Sequence, residues 1–365
     1  MSTPIDAVGE FGLIDQLVEA WAEGASTRAD QYERLCQLLG SKVIGPFPPR
    51  LAVGDDGAIL DIPPQRPLLT TTDMLVEGVH FLWSSERISS LGRKALAVNI
   101  SDIAAMGGVP SWAFLSIAVP RKASVEDVRA LYYAMGEIAG CYGITLAGGD
   151  TVQSDKWVIN VTLLGLAIKE PVRRSGGEEG DLIAVTGSLG DSAAGLHLLL
   201  SSSQLKGAGE SYLLQRHLEP TPRVMEASIL VQQDAVKAML DISDGLSSEI
   251  HHLCRQSQCG ALIDLSALPI SEEAQSLAHS IDQSALDWAL SGGEDFELLF
   301  TIAREKAESL QELIHNETGT AISFIGELRN SSEGIRIYNS SNKEKKSYPL
   351  EARGYNHFSG LSRTE

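Results

Sequence analysis

KALAVNISDIAAMG, residues Lys94–Gly107, is the stretch on which the fold turns. Its apolar positions predict a helix over Ser89–Met106, with Ala95, Asn99, Asp102 and Met106 sharing one face. From Ala95 onward most other positions are Ala, Val, Ile or Leu. A helix apolar almost all round lies inside a protein, so Asn99 and Asp102 are expected to be buried or to line a cleft. A buried carboxylate needs a counterpart, and a metal ion is one.

Working outward, Pro67–Thr71 reads as a strand leading into TTTD (Thr70–Asp73). Before it, GDDGA (Gly54–Ala58) joins short strands expected at Leu51–Val53 and Ala58–Ile62. Residues 1–25 predict a helix, with Phe11, Ile14, Leu17, Val18 and Trp21 at helical spacing. Residues 26–50 read as a helix and then a loop carrying Pro46, Pro48 and Pro49. On the other side follow a strand (Trp112–Val119), a helix (Val125–Tyr142), and a strand (Ile144–Ala147) entering GGDT (Gly148–Thr151). A longer strand (Trp157–Ile168) comes next.

Charge, proline and glycine cluster in KEPVRRSGGEEG (Lys169–Gly180), which marks a boundary. A second mixed half follows. Strands are expected at Leu182–Thr186, Ala238–Ile242, Ala261–Leu265, Phe296–Ile302, Ile322–Gly326 and Gly334–Tyr338, with helices between them. At 365 residues the chain favours two domains, and interleaved strands and helices give a layered α/β or α+β class.

The formal net charge of −19 argues against nucleic acid and anionic membranes as partners. The longest apolar run, near Val158–Ile168, is too short to cross a bilayer and contains Asn160 and Thr162. The acidic start MSTPIDAVGEFG has no secretory h-region, and Cys36, Cys141, Cys254 and Cys259 lack a zinc-type spacing. A cytoplasmic protein with reduced thiols is expected.

Five Gly/Ser/Thr-rich stretches carry aspartates: GDDGA, TTTD, NISD (Asn99–Asp102), GGDT and DISDG (Asp241–Gly245). Carboxylates beside hydroxyls suit hard cations such as Mg²⁺. No Walker-type phosphate loop is present. An acidic protein handling phosphates needs cations between the charges, since like charges ~4 Å apart repel by about 4 kcal/mol at a dielectric near 20. Each stretch also has a plainer reading. GDDGA, TTTD and GGDT serve as turns. DISDG precedes a helix that Ser243 or Asp244 would cap, although a helix start also attracts anions. Asp191 in GSLGDSAAG opens a helix and can cap it. SGGEDFEL (Ser291–Leu298) is either a capture loop for a polar substrate, through Glu294 or Asp295, or a solvated acidic loop. Arg173 and Arg174 form a phosphate clamp or a solvated pair.

Taken in order, GEFGLI (Gly9–Ile14), GDDGA, TTTDMLVEGVHF, KALAVNISDIAAMG, LAGGDT, RRSGGEEGD, TGSLGDSAAGL, DISDGL, SGGEDFELLF and GYNHF (Gly354–Phe358) closely resemble the thiamine-monophosphate kinase family. The resemblance runs from about residue 9 to residue 358. That family belongs to a wider ATP-dependent group resembling aminoimidazole ribonucleotide synthetase. The resemblance implies a two-domain α/β (α+β) fold of that group. Residues 1–170 would form an ATP- and Mg²⁺-binding domain that pairs in a homodimer. Residues 171–358 would complete the substrate cleft, and residues 359–365 would be a tail.

It further implies ATP-dependent phosphorylation of thiamine monophosphate to thiamine diphosphate. By motif, Asp56, Thr71, Thr72, Asp73, Asp102, Asp150, Asp241 and Asp244 would ligate several Mg²⁺ ions. Tyr132, Gly149, Asp150, Arg174 and Ser243 would contact ATP, with Tyr133 the alternative to Tyr132. His80, Glu294 and Tyr355 would contact thiamine monophosphate. Rival readings are another enzyme of the fold group and a non-catalytic Mg-ATP-binding regulator. The former would need a reactive cysteine motif or different terminal motifs. The latter would lack some of the matched carboxylates.

Overall fold

The computed structural model describes residues 3–40, 47–84, 87–201, 207–341 and 346–354. The chain divides into two compact units, Met1–Pro171 and Val172–Glu365. Tyr355 and the tail at 359–365 lie outside the described residues.

The first unit contains α1 (Gly9–Ser26), α2 (Ala29–Leu39), β1 (Leu68–Val76), α3 (Ile88–Ala105), β2 (Gly108–Pro120), α4 (Val125–Tyr142), β3 (Thr145–Ser154) and β4 (Val158–Ala167). Its sheet runs β1-β4-β2-β3, with β2 and β3 parallel and the other pairs antiparallel. Side chains alternate across a strand. In β4, Ile159, Val161 and Leu163 are buried while Asn160 and Thr162 are half-buried on the other face. α3 and α4 cover the apolar face, as α3's buried Leu96, Ile100 and Ile103 require. α1 packs on α4 through small residues: a Cβ at Gly136 or Gly140 would lie 2.3 or 2.2 Å from a carbonyl oxygen of α1. That close approach buries Leu13, Leu17 and Trp21, whereas Val18 turns out to be exposed.

Two strand expectations around GDDGA fail. Leu51 and Ile59 form only an isolated bridge, because Pro48, Pro49, Pro63 and Pro64 leave little room for a ladder. Two other strands run further than expected. β1 continues through TTTD to Val76, and β3 continues through GGDT to Ser154, so both motifs lie within strands rather than in turns. Pairing overrides the local turn signal. The glycines permit it: a Cβ on Gly149 would sit 1.9 Å from the Leu115 carbonyl oxygen of β2. In the segment 26–50, α2 packs on α4, and the Phe47 carbonyl accepts the Trp112 indole N–H at 2.7 Å.

The second unit contains β5 (Leu182–Thr186), α5 (Asp191–Ser201), α6 (Ala208–Leu218), α7 (Val224–Gln232), β6 (Val236–Asp241), α8 (Leu246–Ser257), β7 (Gly260–Asp264), α9 (Glu272–Ser280), α10 (Ala285–Ser291), β8 (Leu298–Ile302), α11 (Ala307–Thr318), β9 (Ile322–Arg329), β10 (Ile335–Tyr338) and β11 (Tyr348–Pro349). Its mixed sheet runs β11-β10-β7-β9-β5-β8-β6. The core joins Val185, Leu240, Leu299 and Ile325 to Leu246, Ile250 and Leu253 of α8. β8 starts two residues later than the sequence suggests. Glu294 and Phe296 have φ of 66° and 51°, and a left-handed backbone cannot enter a ladder.

Candidate active site residues

In the first unit, strand alternation puts Thr71 and Asp73 on the face of β1 that meets α3. The Thr71 hydroxyl donates to Asp102 Oδ2 at 2.5 Å. Asp73 is pushed up to about 6 by burial and then by the Asp102 charge. Two carboxylates and a hydroxyl therefore converge. One turn earlier on α3, fully buried Asn99 donates to the Ala95 carbonyl at 3.1 Å, while its Oδ1 has no hydrogen-bond partner among the described residues. Hard oxygen donors, mutual carboxylate repulsion and an orphaned buried oxygen nearby fit a divalent cation.

Thr72 points to the opposite face, where it bonds Asn160 and Thr162. Its side chain is thus apart from the Thr71–Asp73–Asp102 cluster, beside Asn160 and Thr162. Asp56 and Asp150 are exposed; each carries a turn-like bond, Asp55 Oδ1 accepting the Asp56 N–H and Asp150 Oδ1 accepting the Thr151 N–H, both at 2.8 Å. Tyr132 is buried and bonds the side chain of Thr151, the last residue of GGDT, and burial raises its pKa. The Tyr133 backbone instead faces α1, its carbonyl against Gly24. His80 sits in the turn after β1, where its Nδ1 accepts the Val76 N–H at 3.0 Å. A ring nitrogen that accepts leaves the imidazole proton on Nε2.

In the second unit, SGGED lies zipped against DISDG. The Glu294 N–H donates to the Ser243 carbonyl at 2.7 Å, and the Phe296 N–H to the Ile242 carbonyl at 2.9 Å. The Ile242 N–H donates back to the Glu297 carbonyl at 2.8 Å. Asp241, Ser243, Asp244 and Glu294 are thereby gathered on adjoining backbone, with Asp241 buried at the end of β6. The N-cap of α8 is Gly245 and no side chain caps it, so neither Ser243 nor Asp244 is spent on capping. Arg174 is exposed and close to His252, whose pKa is lowered by burial, then by Arg255 and Arg174.

Asp191 does not cap α5. It accepts from Ser188, Tyr212 and Ser271. The α5 start is served by Asp295, which accepts the Gly190 and Ser192 N–H groups at 2.7 and 3.1 Å. Asp295 is 1% exposed and pushed up to about 7 by burial, against the pull of those two N–H groups and Arg216. Of the two acids offered as a capture loop, only Glu294 remains accessible.

The AIR synthase related protein, N-terminal domain family model matches residues 54–167, and the AIR synthase related protein, C-terminal domain model matches residues 178–339. The thiamine-monophosphate kinase of Escherichia coli O157:H7 is 37% identical over 318 residues, covering 84% of this chain and 92% of that protein. The chain belongs to the thiamine-monophosphate kinase family. A solved member from Stenotrophomonas maltophilia K279a superposes with a TM-score of 0.73 at 32% identity, over 83% of this chain and 95% of that one. The solved complex "AaThiL complexed with AMPPCP and TMP" gives a TM-score of 0.72 at 32% identity, covering 98% of this chain and 100% of that one.

Sequence reasoning missed the cations behind SGGED. Arg216 and Arg223 both bind buried Glu297, at 2.7 and 2.6 Å, and Thr186 donates to the same carboxylate at 2.6 Å. Burial would raise Glu297, but Arg223 and Arg216 hold it below the ordinary carboxylate range. The only signal was an arginine pair at 216 and 223 flanking Pro220 and Pro222, which gives no hint of its partner.

Proposed function

We propose that the protein transfers the γ-phosphoryl group of ATP to the phosphate of thiamine monophosphate, giving thiamine diphosphate and ADP. The observation that carries it is the Thr71–Asp73–Asp102 cluster, where Asp102 adds to the burial that lifts Asp73 to about 6. The family and the likeness to a relative holding AMPPCP and TMP supply the substrates.

Mg²⁺, when bound, neutralises phosphate charge and aligns donor and acceptor oxygens. Thr71, Asp73 and Asp102 would hold it in the first unit, where Thr72, Asp56 and Asp150 are assigned to the further Mg²⁺ ions. Asp241 and Asp244 would hold it in the second. Tyr132, Gly149, Asp150, Arg174 and Ser243 are assigned to ATP. His80 is assigned to thiamine monophosphate, its ring oriented by the Val76 N–H donating to Nδ1. Glu294 offers a carboxylate to the cationic thiamine ring system.

The acceptor is an ionised phosphate oxygen, so no residue is needed as a general base. Positioning and charge neutralisation suffice for direct in-line transfer. Residues 1–170 are assigned to ATP, Mg²⁺ and homodimer formation, and residues 171–358 to further substrate contacts. Exposed Leu68, Met74 and Val152 on the sheet of the first unit support pairing with a second copy. A cytoplasmic location fits this chemistry; among the described residues no helix is long and apolar enough to cross a membrane.

The test is purified protein with Mg-ATP and thiamine monophosphate, assayed for thiamine diphosphate. Mg²⁺-dependent product is expected, with no phosphorylated protein when labelled ATP is given without acceptor. ATP binding without product would favour the regulatory reading, and a trapped phosphoenzyme would overturn direct transfer.

A further inference from the structure

The second unit buries a histidine directly behind Glu294. His217 lies on α6 and its side chain is 5% exposed, against 29% for that of Glu294. Its Nδ1 is 3.1 Å from Ser192 Oγ on α5 and 3.5 Å from Glu294 Oε2. Glu294 is also held by its backbone, in a left-handed conformation with φ of 66° and its N–H on the Ser243 carbonyl. The next residue, Asp295, is anchored in the α5 start, and Glu297 is clamped by Arg216 and Arg223. The loop is thus fixed at Glu294 and immediately after it, and a buried imidazole meets the one carboxylate of the loop that stays accessible. Strained backbone held by surrounding structure is a mark of a preorganised contact.

We infer that His217 is a positioning residue, which holds the Glu294 carboxylate at the place where it meets thiamine monophosphate, with Ser192 fixing the imidazole. The inference rests on the proposed reading of Glu294 as a substrate contact. A buried ring between a hydroxyl and a carboxylate restricts the carboxylate rotamers, and rigid placement of a binding group lowers the cost of binding.

The test is steady-state kinetics of His217→Ala, His217→Asn, Glu294→Gln and the double variant His217→Ala/Glu294→Gln, with thermal melts to confirm folding. Calorimetric titration with thiamine monophosphate alone gives a binding readout that needs no turnover. His217→Ala is expected to raise the KM and Kd for thiamine monophosphate roughly tenfold, with the KM for ATP within about twofold. His217→Asn, whose amide reaches the Nδ1 position, is expected to recover most of the loss and carries the test if the alanine variant fails to fold. In the Glu294→Gln background, His217→Ala should add little, since the partner charge is gone. Equal rises in KM for both substrates, a fall in kcat alone, or multiplying effects in the double variant would overturn the inference. If Glu294→Gln leaves thiamine monophosphate binding intact, the substrate role of Glu294 falls and the inference with it. Absence of turnover by the wild type, with calorimetric binding affected as described, would count against the catalytic reading alone.

Discussion

Asp73 in the first unit and Glu297 in the second are buried acids shifted in opposite directions. In the first, Asp73 stands near Asp102 and is pushed up to about 6, burial being the larger cause and the like charge the second. In the second, Glu297 is more deeply buried yet held below its ordinary range, because two arginines and a threonine hydroxyl surround it. The second arrangement is closed: its charges are answered within the fold. The first gathers two carboxylates and a hydroxyl, a set of hard oxygen donors that suits a divalent cation. Carboxylates gathered with a hydroxyl suit a cation, whereas one surrounded by arginines is already neutralised within the fold.

The largest effect expected from this contrast is on activity. Asp73→Asn or Asp102→Asn should lower kcat/KM by about a thousandfold, close to 4 kcal/mol of transition-state stabilisation, in the thiamine diphosphate assay. Folding of the metal-free protein should be unharmed, because each change relieves repulsion. A variant that loses activity by unfolding would erase the distinction between the two regions.

Glu297→Gln should do the reverse. Removing the carboxylate strands two arginines in a buried site, and the cost is about 3 kcal/mol in denaturant unfolding of the second unit. At low temperature, where the variant stays folded, the KM for ATP should change little. A large rise in that KM with unchanged stability would mean that the arginines serve the nucleotide.

The contributions of Asp73 and Glu297 to the pH dependence of stability should differ in sign. Asp73 titrates near 6 when folded and near 3.8 when unfolded, so between those values the folded state binds more protons. Stability of the metal-free first unit should therefore fall as pH rises through about 6, by at most about 3 kcal/mol. Glu297 is lowered, so its contribution is present above the ordinary carboxylate range and is lost as pH falls through its folded pKa. Thermal melts from about pH 2 to pH 8 check both, and Asp73→Asn should flatten the first slope. Mg²⁺ should restore stability at neutral pH in the wild type but not in that variant.

How far these sites could be read from sequence follows the same division. The helix carrying Asn99 and Asp102 was legible, because near-continuous apolar residues around a carboxylate are a local signal, and α3 is indeed buried. The order of the acidic motifs was legible through family resemblance. Facing was not: TTTD reads as a single cluster, but strand alternation sends Thr72 away from Thr71 and Asp73. Nor was GGDT visible as strand, since its two glycines signal a turn until β2 is seen pressing on Gly149. The closed network was invisible altogether. Asp295 caps a helix that begins at Asp191, and Glu297 meets arginines at 216 and 223; no local pattern encodes such distant pairs.

Tyr132 offers the finest test, since it lies beside the open motif GGDT yet is itself buried and bonded to Thr151. If it belongs with the closed kind of polar group, Tyr132→Phe should cost about 1 kcal/mol of stability, the usual worth of one buried hydrogen bond, and leave the KM for ATP within about twofold. If it meets the nucleotide, the KM for ATP should rise by about fivefold with little change in melting temperature. Tyr133→Phe is the control, because its backbone faces α1 and it should move neither quantity. Measuring both variants by melting and by ATP-dependent kinetics therefore decides to which side of the division this tyrosine belongs, and an effect confined to Tyr133→Phe would reverse the assignment between the two.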